Sequence, residues 1–237
     1  RLIMKKYKLL LSSLFITFLI TACASSSDDD DLAESPANDL PPVNYLALGA
    51  SDAFGIGAEP ITRGYVYRIK DGFEDRGRRV SLLNLGIPTA DIPAIKKTAQ
   101  KALKRDVVYD LVTIWTGAND LIGGGNVNEF EEDLEGILSR LRSKSNAFIV
   151  IMNLPDLTQI KKFREDPDKH VTVERVTAFN QAITRQANKY KVPIVDFFKA
   201  APGDMLVSKK DGFHPNNDGH QKIADLYLQI ILPQFGL

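Results

Sequence analysis

Cysteine is almost missing from this chain: Cys23 is the only one, so no disulfide can form within it. Histidine is nearly as scarce, at three residues, which leaves few candidates for a general base working near neutral pH. The paired helical histidines of zinc hydrolases do not occur, which argues against reading Asp211, His214, Asp218 and His220 as a metal site. Gly55-Ile56-Gly57 lacks the third glycine of a dinucleotide-binding turn, because position 60 is Pro60. Gly123-Gly124-Gly125 is not followed by Lys and Ser or Thr, so it reads as a flexible loop and not a phosphate cradle. Neither a metal nor an organic cofactor is expected. The formal charge is zero, without the basic excess that would suit nucleic acid. The longest apolar run, Leu9 to Ile20, is too short to cross a bilayer, for which roughly 20 residues are needed.

That short run has a different meaning. Lys5, Lys6 and Lys8 precede it and Ile20-Thr21-Ala22-Cys23 follows, the pattern of a secretion signal over residues 1–22. The Ile-Thr-Ala-Cys end resembles a bacterial lipobox, which implies that Cys23 receives a diacylglycerol thioether and becomes the new N-terminus. The plainer alternative is an incidental cysteine beside an ordinary cleavage site. The expected product is a membrane-anchored lipoprotein of the bacterial cell envelope, facing away from the cytoplasm. Removing residues 1–22, with four basic and no acidic side chains, leaves a formal charge of −4. Residues 23–42 contain Ser25-Ser26-Ser27, Asp28 to Asp31 and Pro41-Pro42, a composition that cannot bury enough apolar surface to fold. They are expected to form an acidic tether.

Residues 43–237 have the length of one domain. Short β-rich runs at Val43–Leu48, Val80–Leu85, Leu111–Trp115, Phe148–Asn153 and Val192–Phe197 alternate with helical patterns near Arg63–Arg76, Ile92–Lys104, Asn128–Arg142, Val171–Lys189 and Asn216–Ile231. This alternation predicts an α/β fold with a five-stranded, mostly parallel sheet and helices on both faces. In such folds, binding groups collect on loops at the C-terminal ends of strands. Ser51 follows the first run, Gly86 the second and Asn119 the third, while Asp211 and His214 lie between the fifth run and the last helix.

A serine hydroxyl is a weak nucleophile until a base takes its proton, and an Asp three residues before a His can orient that base within one turn of chain. Ser51, His214 and Asp211 supply these types. Gly49-Ala50-Ser51-Asp52, Asn84-Leu85-Gly86, Gly117-Ala118-Asn119-Asp120 and Asp211-Gly212-Phe213-His214-Pro215 together resemble successive blocks of the SGNH, or GDSL-type, hydrolases. The resemblance covers nearly the whole folded region. It implies a three-layer α/β/α, flavodoxin-like fold and hydrolysis of esters or thioesters. Ser51 would be the nucleophile, His214 the base and Asp211 its orienting acid. The N–H groups of Ser51 and Gly86 and the Asn119 amide would form the oxyanion hole. Gly86 is expected to let the backbone approach the substrate. The first block departs from the family's commonest form, in which Asp precedes the serine and Leu follows it. Here Ala50 precedes Ser51 and Asp52 follows, so no role for that acid carries over.

Each residue also has a plainer reading. Ser51 could be a turn residue, Gly86 a turn glycine, and Asn119-Asp120 a helix entry with Asp120 bracing the loop. His220, at the opening of the last helix, suits a structural role, and His170 sits in a polar surface stretch. The loops Asp156–Val171 and Leu121–Asn128 are expected to shape a pocket without a lipase-like lid. The sequence predicts a serine esterase or acylhydrolase acting through an acyl-Ser51 intermediate, on simple carboxylic esters, thioesters or lysophospholipids. Removal of O-acetyl groups from polysaccharide by the same residues, and a catalytically silent envelope-binding scaffold, stay open beside it.

Overall fold

Along β1 (Val43–Gly49), successive side chains point to opposite faces, and both faces are apolar. Leu46 and Leu48 enter one hydrophobic cluster, while Val43, Tyr45 and Ala47 enter another. A strand with no wet face must lie between two helix layers. The computed structural model, which describes residues 40–200 and 206–237, has that arrangement. The signal segment, Cys23 and most of the acidic stretch lie outside the described residues.

β1 pairs with β2 (Val80–Gly86) on one side and β3 (Leu111–Trp115) on the other. β4 (Phe148–Met152) and β5 (Ile194–Val195) complete an all-parallel sheet of order β2-β1-β3-β4-β5. Val112, Ile114, Ile149 and Ile151 join Leu46 and Leu48 beneath α3 (Ile92–Ala102), α5 (Val127–Lys144) and α7 (Val173–Tyr190). Leu111, Trp115, Val150 and Met152 face α2 (Tyr65–Glu74) and α9 (Asn217–Ile231). Each fully buried Leu, Ile or Phe in these layers contributes about 2 kcal/mol. Thr113 is a polar residue in the middle of β3, and its hydroxyl is satisfied by the Tyr45 hydroxyl at 2.8 Å.

The helices begin where polar caps allow. Asp91 accepts from the Ala94 N–H at the start of α3, Thr172 from Arg175 before α7, and Asn216 from Gly219 before α9. The five long helices fall within a few residues of the predicted ranges. β5 is shorter than the predicted Val192–Phe197 for a clear reason. The Val192 N–H is taken by the Ala187 carbonyl at the end of α7, Pro193 has no N–H, and Phe197 already begins α8 (Phe197–Ala200). Three further short helices interrupt the loops: α1 (Ser51–Phe54), α4 (Ala118–Ile122) and α6 (Lys161–Glu165).

α1 folds tightly over the end of β2. A Cβ on Gly86 would stand 2.1 Å from the Phe54 nitrogen and 2.5 Å from the Ala53 carbonyl carbon. The backbone of α1 by itself therefore requires glycine at this position, a constraint its place in the sequence did not suggest. Asn84 secures the same contact: its amide donates to the Ala53 carbonyl at 2.8 Å, and its oxygen accepts the Gly86 N–H at 2.9 Å. Gly86→Ala must push α1 off the sheet and is expected to cost at least about 2 kcal/mol of stability in urea unfolding. Wild-type stability in that variant would show that α1 is not held there.

Candidate active site

Ser51 opens α1 two residues beyond the end of β1 and is almost fully buried. His214 arrives from the other end of the chain, on a tight turn before α9. The Ser208 N–H donates to the His214 carbonyl at 2.7 Å, the Gly212 N–H to the Ser208 carbonyl at 2.8 Å, and Val207 bridges Pro215. Asp211 organises the turn from inside. One carboxylate oxygen accepts the N–H groups of Phe213 and His214, at 2.9 and 3.1 Å, and the other takes the His214 Nδ1–H at 2.7 Å. Partial burial pushes the Asp211 carboxyl up, but these hydrogen bonds from the His214 ring and the two N–H groups hold it below its ordinary value. With Nδ1 donating to Asp211, His214 Nε2 turns a lone pair towards Ser51 Oγ, 2.9 Å away.

This meeting depends on the loop after α1. At Gly57, φ is +94°, and a Cβ there would lie 2.1 Å from the Pro215 carbonyl oxygen and 3.1 Å from the His214 Cβ. Only glycine permits so close a passage. Two residues of α9 hold the loop in place. Asn217 bonds both the N–H and the carbonyl of Glu59, at 2.9 and 3.0 Å, and Lys210 pairs with the Glu59 carboxylate. His220 is wholly buried, with Nε2 donating to the Ile56 carbonyl at 3.0 Å and Nδ1 accepting the Tyr65 N–H at 3.2 Å. Burial pushes its pKa down to about 4, so it is a neutral internal strut.

A model of the GDSL-like lipase/acylhydrolase family matches residues 47–222, which span all of these groups. The chain belongs to that family. It is accordingly a hydrolase of ester bonds. The spore germination lipase LipC of Bacillus licheniformis is 23% identical over 213 residues, covering 77% of this chain and 93% of that protein. Among solved structures, TesA is 18% identical with a TM-score of 0.66, covering 80% of this chain and 98% of its own. The acetyl xylan esterase AlAXEase is 16% identical with a TM-score of 0.64, covering 80% of this chain and 100% of its own. At these identities the structures speak for the shared three-layer fold.

The candidate oxyanion donors of this acylhydrolase are arranged unequally. The Asn119 amide donates one N–H to the Ala90 carbonyl at 2.8 Å, and its second N–H has no partner among the described residues. The Gly86 N–H is occupied by Asn84, as described above, and Gly86 does not line the small recess shared by Ser51 and Asn119. The Ser51 N–H belongs to the first turn of α1, whose donors have no partner within the helix. Asp120 braces the loop by accepting the Ile92 N–H at 3.0 Å at the head of α3. Thr116, which sequence reading passed over, lines the recess with a buried hydroxyl that has no hydrogen-bond partner among the described residues.

Beside the recess opens a cavity of about 290 Å³ with mostly apolar walls. Of the predicted Asp156–Val171 loop, Asp156, Leu157, Gln159 and Ile160 line it, and residues 161–171 do not. The Leu121–Asn128 loop does not: Arg175 pins it to α7 by donating to the carbonyls of Gly125 and Leu121, at 2.9 and 3.3 Å. Its place is taken by Phe197, Phe198, Leu206 and Val207. Asp52 stands in the wall of both the recess and the cavity. Burial pushes its carboxyl up to about 6, against the attraction of His214, and the nearby Asp211 charge adds to the rise. A raised acid holds its proton more tightly folded than unfolded. Its ionisation therefore weakens the fold as pH climbs from about 4 to about 6, by about 3 kcal/mol in full. Asp52→Asn is expected to be the more stable protein at pH 8, with the advantage shrinking towards zero by pH 4 in urea titrations. An advantage independent of pH would contradict this account.

Proposed function

We propose that the protein hydrolyses carboxylic esters through an acyl-Ser51 intermediate. The observation that supports this most directly is the continuous relay from Ser51 Oγ to His214 Nε2 at 2.9 Å and from His214 Nδ1 to Asp211 at 2.7 Å. Ser51 Oγ attacks the carbonyl carbon as its proton passes to Nε2, and Asp211 stabilises the imidazolium that results. Collapse of the tetrahedral intermediate breaks the ester C–O bond, and the departing alkoxide takes the proton from Nε2. Water then repeats the sequence, releasing the acid and restoring Ser51. The free N–H of Asn119 and the Ser51 N–H are the donors best placed for the oxyanion. Gly86 would join them only after Asn84 lets go.

Short- and medium-chain esters suit a cavity of about 290 Å³. Removal of O-acetyl groups from polysaccharide needs the same residues, and the fold's likeness to an acetyl xylan esterase keeps that reading beside the first. The signal pattern further supports a lipid anchor on Cys23, which would hold the domain at a membrane. No helix among the described residues is long and apolar enough to cross one. Incorporation of labelled fatty acid in the bacterial cell, lost in Cys23→Ser, is the expected result for the anchor. An unlabelled wild-type protein would remove it.

Purified domain 43–237 is expected to hydrolyse p-nitrophenyl acetate, butyrate or octanoate. Ser51→Ala and His214→Ala should each lose at least about a thousandfold in kcat, and Asn119→Ala about a hundredfold. Full activity in Ser51→Ala would overturn the mechanism. Failure of wild type on all three esters, with acetate released from acetylated xylan, would transfer the assignment to the polysaccharide. Failure on every ester would leave a silent binding scaffold.

A further inference from the structure

Building on the ester-hydrolase reading, we propose that Asp52 is a specificity-determining residue, selecting esters whose cavity-bound arm ends in an ammonium group. Position is the first argument. Asp52 lines both the recess that holds Ser51 and Asn119 and the larger cavity next to it, so an arm running from the reacting carbonyl into the cavity passes its carboxyl.

The second argument is that this carboxyl accepts only the N–H of its own backbone and has no ion-pair partner among the described residues. Of the titratable groups around it, the His214 ring is committed, while the Tyr65 hydroxyl has no hydrogen-bond partner among the described residues. His214 is engaged by Asp211 on one nitrogen and by Ser51 on the other. The buried Tyr65 lies in an aromatic stack with His220 and Tyr227. No Lys or Arg lines the cavity among the described residues. The exposed Lys162 lies over the ring of Phe213, 5.5 Å from its centroid, and is not part of the wall. The one other acid among the described lining residues, Asp156, is engaged by the N–H and hydroxyl of Thr158, at 3.0 and 2.6 Å, and adds negative charge.

The remaining walls suit a cation too. Trp115, Phe197, Phe198 and Phe213 line the same cavity, with Trp115 and Phe197 edge to face at 5.5 Å. Aromatic faces attract alkylammonium groups, the more so where water is excluded. An uncharged alkyl arm would strip water from the carboxylate and offer nothing in return, whereas an ammonium arm supplies the missing countercharge. Since burial pushes this acid only to about 6, it is ionised at pH 8, where such a cation would meet it.

Two pairs of esters matched in shape separate charge from size. Acetylcholine and 3,3-dimethylbutyl acetate differ by N⁺ for C in the alcohol arm. The p-nitrophenyl esters of 4-(trimethylammonio)butanoate and 5,5-dimethylhexanoate differ in the same way in the acyl arm. At pH 8 the charged member of one pair is expected to show at least about tenfold higher kcat/KM, and Asp52→Asn should bring that ratio to about one or below. The ratio cancels any loss common to both esters. A wild-type ratio near one in both pairs, or one that Asp52→Asn leaves unchanged, would overturn the proposal. Should no ester turn over, the hydrolytic reading falls and titration calorimetry with tetramethylammonium decides this one. Binding to wild type that disappears in Asp52→Asn sustains it, and absence of binding ends it.

Discussion

The close passage of the Gly57 backbone against the Pro215 carbonyl governs the catalytic end of this molecule, because it brings together groups 163 residues apart. Ser51 is fixed by β1 and α1, and His214 by its own turn, but neither element determines the distance between them. That distance is set by the loop from Gly55 to Glu59, which lies between the two. The start of α9 contributes Asn217 and His220 to hold the loop, and Lys210 pairs with its outer end. Four residues with no contact to the reacting atoms therefore determine whether a proton can pass from Ser51 to His214. The neutrality of His220 belongs to the same design: a charge there would have to be solvated inside the core.

Stability and selectivity pull against each other at Asp52. A leucine, the residue commonest in the family after the nucleophile, would extend the apolar wall formed by Trp115 and Phe213. An aspartate there loses hydration and gains only its own backbone N–H in return. Such an arrangement is stable only because the two hydrophobic layers on either side of the sheet supply far more than it costs. Unsatisfied groups of this kind concentrate where a ligand is meant to complete them.

Much of the fold was legible in the sequence because both faces of the sheet are covered. β4 is a continuous apolar run, β1 and β3 are each broken by a single polar residue, Asn44 and Thr113, and the long helices carry a clear apolar stripe. β5 was overestimated because an apolar run does not reveal that the helix before it has taken the Val192 N–H. α1, α4, α6 and α8 are four or five residues long, too short to show a period. Ser51, Asn119, Asp211 and His214 were recognisable from block order and from the three-residue spacing of Asp211 and His214. The rest depended on contacts between distant segments. Gly57 looked like part of a failed nucleotide motif, its use visible only once Pro215 lay against it. The packing of Gly86 against α1 and the double hydrogen bond of Asn84 could not be inferred from their neighbours in sequence. Asp52 stood out as a departure from the family pattern, but its surroundings were not readable.

The base and its acid come from one short turn, while the nucleophile comes from the far end of the chain. Distances within the turn are local, and survive as long as the Ser208–His214 ring of hydrogen bonds does. The distance to Ser51 is global, and a single loop guards it. Heating or mild denaturant that loosens residues 55–59 would part nucleophile from base while His214 and Asp211 stay joined. Inactivation is thus expected to precede unfolding in this molecule.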